Sequence, residues 1–350
     1  MSRPRPLHVQ LNARNRAYRF EAAPGERILY AGLRAQAELP YECATGTCGT
    51  CKAKLVDGKI EDGWPQAPGR KHLKLEQNEF LMCQCAAQGD VSLEVASFVY
   101  PSDPGACRVG ARSGTVQAAR ALTHDVTSIE VALDQPCEFD AGQFMAVRAP
   151  GVPGMRGYSM VNFDRPASRL EFVVKRKPGG GFSEWLFSGK AEGARLELLG
   201  PLGKATFYPG LAKNLLCIAG GSGIAGMMSI LSRACHESYF DRHQASVFFG
   251  VRTMRDAFFL KELSGFKRER LAITVALSDE EVPASAAGEF PALRFERGLV
   301  HEVARREMAG KYQNVRAYLA GPPPAVEAAI RVLLLEAKLT ADAIRYDKFS

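Results

Sequence analysis

Cys43, Cys48 and Cys51 stand in the run YECATGTCGTC with the spacing C-x4-C-x2-C, and two further cysteines follow at Cys83 and Cys85. Thiols so clustered read as metal ligands, and nine cysteines, an odd number, suit a disulfide framework poorly. The residues between them (Ala44, Thr45, Gly46, Gly49) are small, so the backbone can fold tightly around a metal group and aim N–H groups at the sulfurs. Zinc is the competing reading, but zinc sites usually pair two C-x2-C units, and here the remaining thiolate is single and distant. That spacing is the one that holds a [2Fe–2S] cluster. Cys107, Cys137, Cys217 and Cys235 have no such company and read as ordinary buried thiols.

A second chemistry-bearing run is NLLCIAGGSGIAGMMSIL, a strand, a glycine turn and a helix. Gly220, Gly221 and Gly223 allow close backbone approach, Ser222 adds a hydroxyl, and the helix start offers N–H groups to a dinucleotide pyrophosphate. The turn is not the G-x-G-x-x-G of ordinary dehydrogenases. None of the six histidines sits in a recognisable constellation, and neither an acid–base pair nor a nucleophile is required.

Three segments position these residues. Residues 1 to about 100 carry the cysteine cluster, and PSDPGACRVG follows with a linker composition. From about 110 to 208 short alternating strands (SGTVQAARAL, TSIEVAL, QFMAVRA, YSMVN, RLEFVVKRK, ARLELLG) predict an antiparallel barrel. The G-P-L-G at Gly200 to Gly203 reads as the turn that ends it. Beyond 210, the strands NLLCIA, ASVFFGV, LAITVAL and VRAYLAG alternate with helical stretches and predict a parallel sheet with crossover helices. The formal net charge of +7 is spread along 350 residues, which argues against nucleic-acid binding. The basic start has no apolar region behind it, so secretion is not expected, and the most apolar stretch, Leu215 to Leu231, is too short and too glycine-interrupted for a membrane span. A cytoplasmic protein is expected.

With these motifs in place, residues 8 to 100 resemble a plant-type ferredoxin domain and the rest resembles the ferredoxin–NAD(P)H reductase family. The whole resembles the reductase components of bacterial multicomponent oxygenases. The resemblance implies a multidomain α+β chain: a β-grasp [2Fe–2S] ferredoxin domain over 1–102, an antiparallel FAD-binding β-barrel over 108–209 and a Rossmann-like parallel α/β NAD-binding domain over 210–350. It makes Cys83, in LMCQC, the fourth cluster ligand and leaves Cys85 a free thiol. Arg156-Gly157-Tyr158-Ser159, preceded by Gly142-Gln143-Phe144, matches the family's R-x-Y-S flavin motif. The Arg156 guanidinium suits a pyrophosphate oxygen, the Tyr158 ring packs against the flavin, and Ser159 hydrogen-bonds its ring nitrogens. In PGGGFSEWLF, Gly180, Gly181 and Ser183 stand at a helix start that would face the FAD pyrophosphate.

The nicotinamide turn resembles the family's G-G-(S/T)-G-x-A, although most relatives have proline at the position of Gly226. The second signature, C-G-P-P, is altered to Ala320-Gly321-Pro322-Pro323, which removes any catalytic thiol; Gly321 and Pro322 remain as nicotinamide contacts. Phe349, near the terminus, takes the place of the aromatic that stacks on the flavin in similar proteins. After ASVFFGV come Arg252 and Asp256. An acidic residue suits a ribose 2′-hydroxyl and arginine a 2′-phosphate, so the expectation of NADH rests on the resemblance.

The implied function is an NADH-dependent oxidoreductase in which hydride passes to FAD and single electrons leave through the cluster. The implied acceptor is the terminal component of a Rieske or di-iron oxygenase, docked on the ferredoxin domain around Tyr41, Glu42, Thr45, Gly46 and Thr47. The alternatives are a reductase for sugar deoxygenation or for a haem monooxygenase, or a non-enzymatic redox sensor.

Overall fold

The structure is a computed structural model and describes residues 5–266 and 268–348. Its first unit is a five-stranded mixed sheet of order β2-β1-β7-β3-β5, built from β1 (Leu7–Ala13), β2 (Ala17–Ala22), β3 (Lys52–Asp57), β5 (Glu79–Leu81) and β7 (Val91–Val95). A small ladder of β4 (Ile60–Asp62) and β6 (Cys85–Ala87) lies beside it. Helix α1 (Ile28–Arg34) packs across the sheet because six consecutive residues, Ile28 to Leu33, are buried. The long connection from α1 to β3 holds the cysteine loop.

The second unit is a six-stranded antiparallel sheet of order β11-β10-β13-β8-β9-β12. Its strands are β8 (Gly110–Ala121), β9 (Val126–Cys137), β10 (Phe144–Arg148), β11 (Arg156–Ser159), β12 (Ala167–Lys175) and β13 (Arg195–Leu202), with helix α2 (Gly181–Phe187) after β12. A bridge from Met160 to Phe172 joins the two edge strands and closes the sheet. All six expected strands are present. The G-P-L-G run is not the turn expected, because Leu202 still pairs with Phe144 and so extends β13.

The third unit is an all-parallel sheet of order β17-β16-β15-β14-β18-β19. It comprises β14 (Asn214–Gly220), α3 (Ile224–His236), β15 (Ala245–Val251), α4 (Leu260–Gly265), β16 (Leu271–Leu277), α5 (Ala286–Glu289), β17 (Arg294–Arg297), α6 (Val300–Glu307), β18 (Val315–Gly321), α7 (Pro323–Arg331) and β19 (Ile344–Lys348). The central strands are apolar throughout because helices cover both faces. Edge strands β17 and β19 add to the four that the sequence pattern predicts.

The units share cores. Val126, Ala141, Val161, Val173 and Phe207 of the barrel are buried in one cluster with α3 and the parallel sheet, while Phe144, Ala146, Leu199 and Leu202 are buried with the core of the first unit. Arg233 of α3 reaches Asp140 at 3.0 Å, and the fully buried Ser229 hydroxyl accepts the Gly142 N–H at 2.9 Å. No helix among the described residues is long and apolar enough to cross a membrane.

Candidate redox and nucleotide sites

The cysteine loop is wound by left-handed backbone at Ala44 (φ 56°), Gly46 (φ 90°) and Gly49 (φ 81°). The buried Tyr30 hydroxyl pins it by donating to the Ala44 carbonyl at 2.8 Å, and the Gly69 N–H donates to the Gly46 carbonyl at 2.9 Å. Winding the loop this way aims backbone donors at sulfur. The N–H groups of Thr45 and Thr47 lie 3.4 Å from Cys43 Sγ, and that of Thr50 lies 3.5 Å from Cys48 Sγ. The thiols meet in two pairs, Cys43 with Cys48 and Cys51 with Cys83. The hydrogen bond from Cys48 pulls Cys43 down to about 4 against its burial. The reciprocal bonds and burial push Cys48 and Cys51 up. Cys85 stands outside this set: burial, then the charge of Asp62, pushes it up to about 12, and it opens β6. Four thiols in two pairs, with N–H donors on their sulfurs, fit a two-iron cluster.

The flavin motif lies on β11, in register with β10: Val147 faces Arg156, Ala146 faces Gly157, Met145 faces Tyr158 and Phe144 faces Ser159. The Tyr158 ring packs on Phe182 at 5.0 Å, and Phe182 on Trp185 at 5.4 Å, so the motif tyrosine and α2 form one aromatic row. Burial pushes the Tyr158 hydroxyl well above its ordinary range, and the nearby Arg156 charge only partly offsets this. The Arg156 guanidinium lies 5.0 Å over the Trp64 ring of the first unit. The sequence offered no signal for that partner. Gly180 caps α2, and the first-turn N–H groups of Gly181, Phe182 and Ser183 have no partner within the helix. The Ser183 hydroxyl is buried, accepts the Lys177 N–H at 3.0 Å and shapes the loop that leads into α2.

At the carboxyl edge of the parallel sheet the two glycine motifs meet. A Cβ on Gly223 would lie 2.4 Å from the Ala320 carbonyl oxygen, and one on Gly321 would lie 2.9 Å from that of Gly220. Gly220 also abuts Pro322, and Gly221 takes φ 53° with open space around it. The half-buried Ser222 lies in the same turn. Bare backbone from β14 and β18 thus lines a crevice where a parallel sheet binds nucleotides. Gly226 sits in the first turn of α3, where a Cβ would make ordinary contact with Ser159 at 3.6 Å, so the missing proline opens no gap. Asp256, the acidic residue after β15, is engaged within its own turn. It is buried, accepts the Thr253 N–H at 3.1 Å in a capping box, and pairs with Arg252 at 3.2 Å. Arg252 itself stays exposed. Phe349 lies outside the described residues.

The sites join at a seam that the sequence did not reveal. The Gly203 N–H donates to the Tyr41 hydroxyl at 3.0 Å, Lys204 pairs with Glu38 at 3.1 Å, and the Tyr346 hydroxyl reaches Glu42 at 3.5 Å. Burial, then the charge of Glu42, pushes the Asp347 carboxyl up to about 7. The seam corrects the expected docking face: Tyr41 and Glu42 face the chain's own barrel and β19, while Thr45 and Gly46 are buried. Thr50 of the loop is exposed, as are Lys71 and His72, the latter lying against Gly49. The expectation of buried lone thiols holds for Cys137 and Cys217, whereas Cys107 and Cys235 are only half-buried.

A thiol loop, a flavin-motif barrel and a nucleotide-binding parallel sheet in one chain define an iron–sulfur flavoprotein oxidoreductase. Comparison with known families agrees domain by domain. The 2Fe-2S iron-sulfur cluster binding domain matches residues 11–88, the oxidoreductase FAD-binding domain 113–207 and the oxidoreductase NAD-binding domain 217–331. The ferredoxin–NAD(P)(+) reductase CarAd of Metapseudomonas resinovorans is 36% identical over 93% of this chain and 95% of its own length. The xylene/toluene monooxygenase electron transfer component XylA of Pseudomonas putida is 30% identical over 93% of this chain and 89% of its own. Among solved structures, the ferredoxin reductase in carbazole 1,9a-dioxygenase superposes with a TM-score of 0.81 at 33% identity, covering 99% of both chains. This chain belongs to the reductase components of multicomponent oxygenases, with [2Fe–2S], FAD and nicotinamide dinucleotide as its redox groups.

Proposed function

We propose that this cytoplasmic protein oxidises NADH and delivers single electrons to the terminal component of a Rieske or di-iron oxygenase docked on its ferredoxin domain. When bound, FAD takes up the two electrons as hydride and releases them singly, and a plant-type cluster near about −400 mV passes them on. The chain's own residues bind and align these groups. Cys43 and Cys48 hold one iron, and Cys51 and Cys83 the other. Arg156 and the start of α2, capped by Gly180 and opened by the Gly181 amide, hold the FAD pyrophosphate, while Tyr158 and Ser159 hold its ring; Ser183 acts through the loop. Gly220, Gly221, Ser222 and Gly223 take the NADH pyrophosphate, with Gly321 and Pro322 beside the nicotinamide and Phe349 shielding the flavin. These roles fall within units at 1–102, 108–209 and 210–350.

The observation that carries the reading is the seating of the cysteine loop on the strand of the flavin motif, where the Cys43 carbonyl lies 3.7 Å from a Cβ position on Gly157. That arrangement leaves electrons a short internal route and an exit on the opposite side of the loop, near Thr50, Lys71 and His72. The preference for NADH is supported by the pairing of Arg252 with Asp256, which offsets the charge a 2′-phosphate would need. The test is reconstitution with the oxygenase encoded beside this chain. NADH-dependent substrate oxidation is expected, and its absence alongside rapid electron delivery to a sugar-nucleotide or haem enzyme overturns the acceptor. A higher kcat/KM with NADPH overturns the cofactor preference.

A further inference from the structure

Strand β10 is two-sided. Phe144 and Ala146 are buried with the ferredoxin core, whereas Met145 and Val147 are buried inside the barrel. Gly157 pairs with Ala146 in the β10–β11 ladder and therefore looks toward the ferredoxin unit, away from the side of Tyr158. A Cβ there would lie 3.3 Å from the Phe144 ring and 3.7 Å from the carbonyl oxygen of Cys43. A methyl group would already press on Phe144, and a branched side chain would occupy the space now filled by the cluster loop. The φ of Gly157 is not in the left-handed region, so backbone conformation does not demand glycine here. Contact across the seam does.

We propose that Gly157 is the spacing residue of flavin-to-cluster electron transfer: its missing side chain lets the cluster loop close on the flavin strand. The step moves one electron from reduced flavin to one ferric ion of the cluster, with no bond made or broken. Gly157 is a positioning residue, and its role rests on the reading that β11 holds the flavin.

The test uses the full-length holoprotein carrying Gly157→Ala, Gly157→Val or Gly157→Leu. FAD and iron contents are measured first, and flavin and cluster bleaching by NADH are then timed separately. Cluster reduction should slow progressively as the side chain grows, least in Gly157→Ala and most in Gly157→Leu, because electron transfer falls steeply with distance. The ratio of cluster to flavin bleaching rates should fall with it, which general destabilisation would not produce. In protein stripped of both groups, hydrogen exchange at the Gly203 amide, which bonds Tyr41 across the same seam, should quicken in the same order. If Gly157→Leu fails to load, the Ala and Val variants carry the comparison, and a ratio that does not fall with side-chain size overturns the proposal. Arg156→Ala separates the two readings: if it retains FAD, the flavin site itself is misassigned. Loss of FAD there, with an unchanged ratio in the Gly157 series, refutes only the spacing role.

Discussion

At Cys83 and Cys85 two buried thiols separated by one residue have different partners. Cys83 accepts a hydrogen bond from the Gln84 side-chain amide at 3.4 Å and pairs with Cys51, while Cys85 is buried at the start of β6, outside that pairing. Cys83→Ser is therefore expected to abolish the visible absorption and iron content of the cluster, and Cys85→Ser to keep both; the opposite result reverses the ligand assignment. Asp347 carries a pH dependence of known sign. Its folded carboxyl titrates at about 7, above the ordinary carboxylate range, so folding takes up a proton at this group. The stability it contributes is present in acid and is lost as pH rises toward 7. In Asp347→Asn the melting temperature should decline less between pH 5 and pH 7.5 than in the parent. Parallel curves would show that the carboxyl titrates normally. The cysteine spacing made this scale legible where ligands are close in sequence. The inward turn of Ser183 and the capping role of Asp256 were not legible, because both side chains answer to local loop backbone whose course only the folded chain sets.

The nucleotide crevice depends on how closely β14 and β18 approach. At Gly223 a Cβ would collide with the backbone of Ala320, which cannot swing aside as a side chain can. Gly223→Ala should cost about 1–3 kcal/mol of stability, the usual penalty for overpacking, and should weaken nicotinamide binding. Gly226 offers the internal control: it is helical, a Cβ there would make only ordinary contact with Ser159 at 3.6 Å, and Gly226→Ala should be neutral or stabilising by up to ~1 kcal/mol. Urea unfolding of the two variants decides it, and equal losses would refute the asymmetry. The glycine turn and the apolar central strands were readable because each repeats a pattern that its element imposes. Edge strand β19, IRYDK, has no such pattern, and its place was fixed only by pairing with β18. G-P-L-G looked like a turn because proline and glycine usually break strands, yet Leu202 still pairs with Phe144, one residue out of register across a bulge at Gly200 and Pro201.

Across the whole molecule, the order of the units could be read from composition but their mutual packing could not. Tyr41 with Gly203, Arg156 with Trp64 and Arg233 with Asp140 join residues far apart in the chain, and no sequence pattern links the two members of any pair. The first two bring the thiol loop to the flavin strand, so the cluster becomes the route out of the protein, and the third fixes α3 to the barrel. The most direct test is stopped-flow reduction of Cys48→Ala, with NADH as donor and the partner oxygenase or cytochrome c as acceptor. Flavin bleaching should keep the parent rate while acceptor reduction is lost. Undiminished acceptor reduction without the cluster would contradict it, because electrons would then be leaving directly from the flavin.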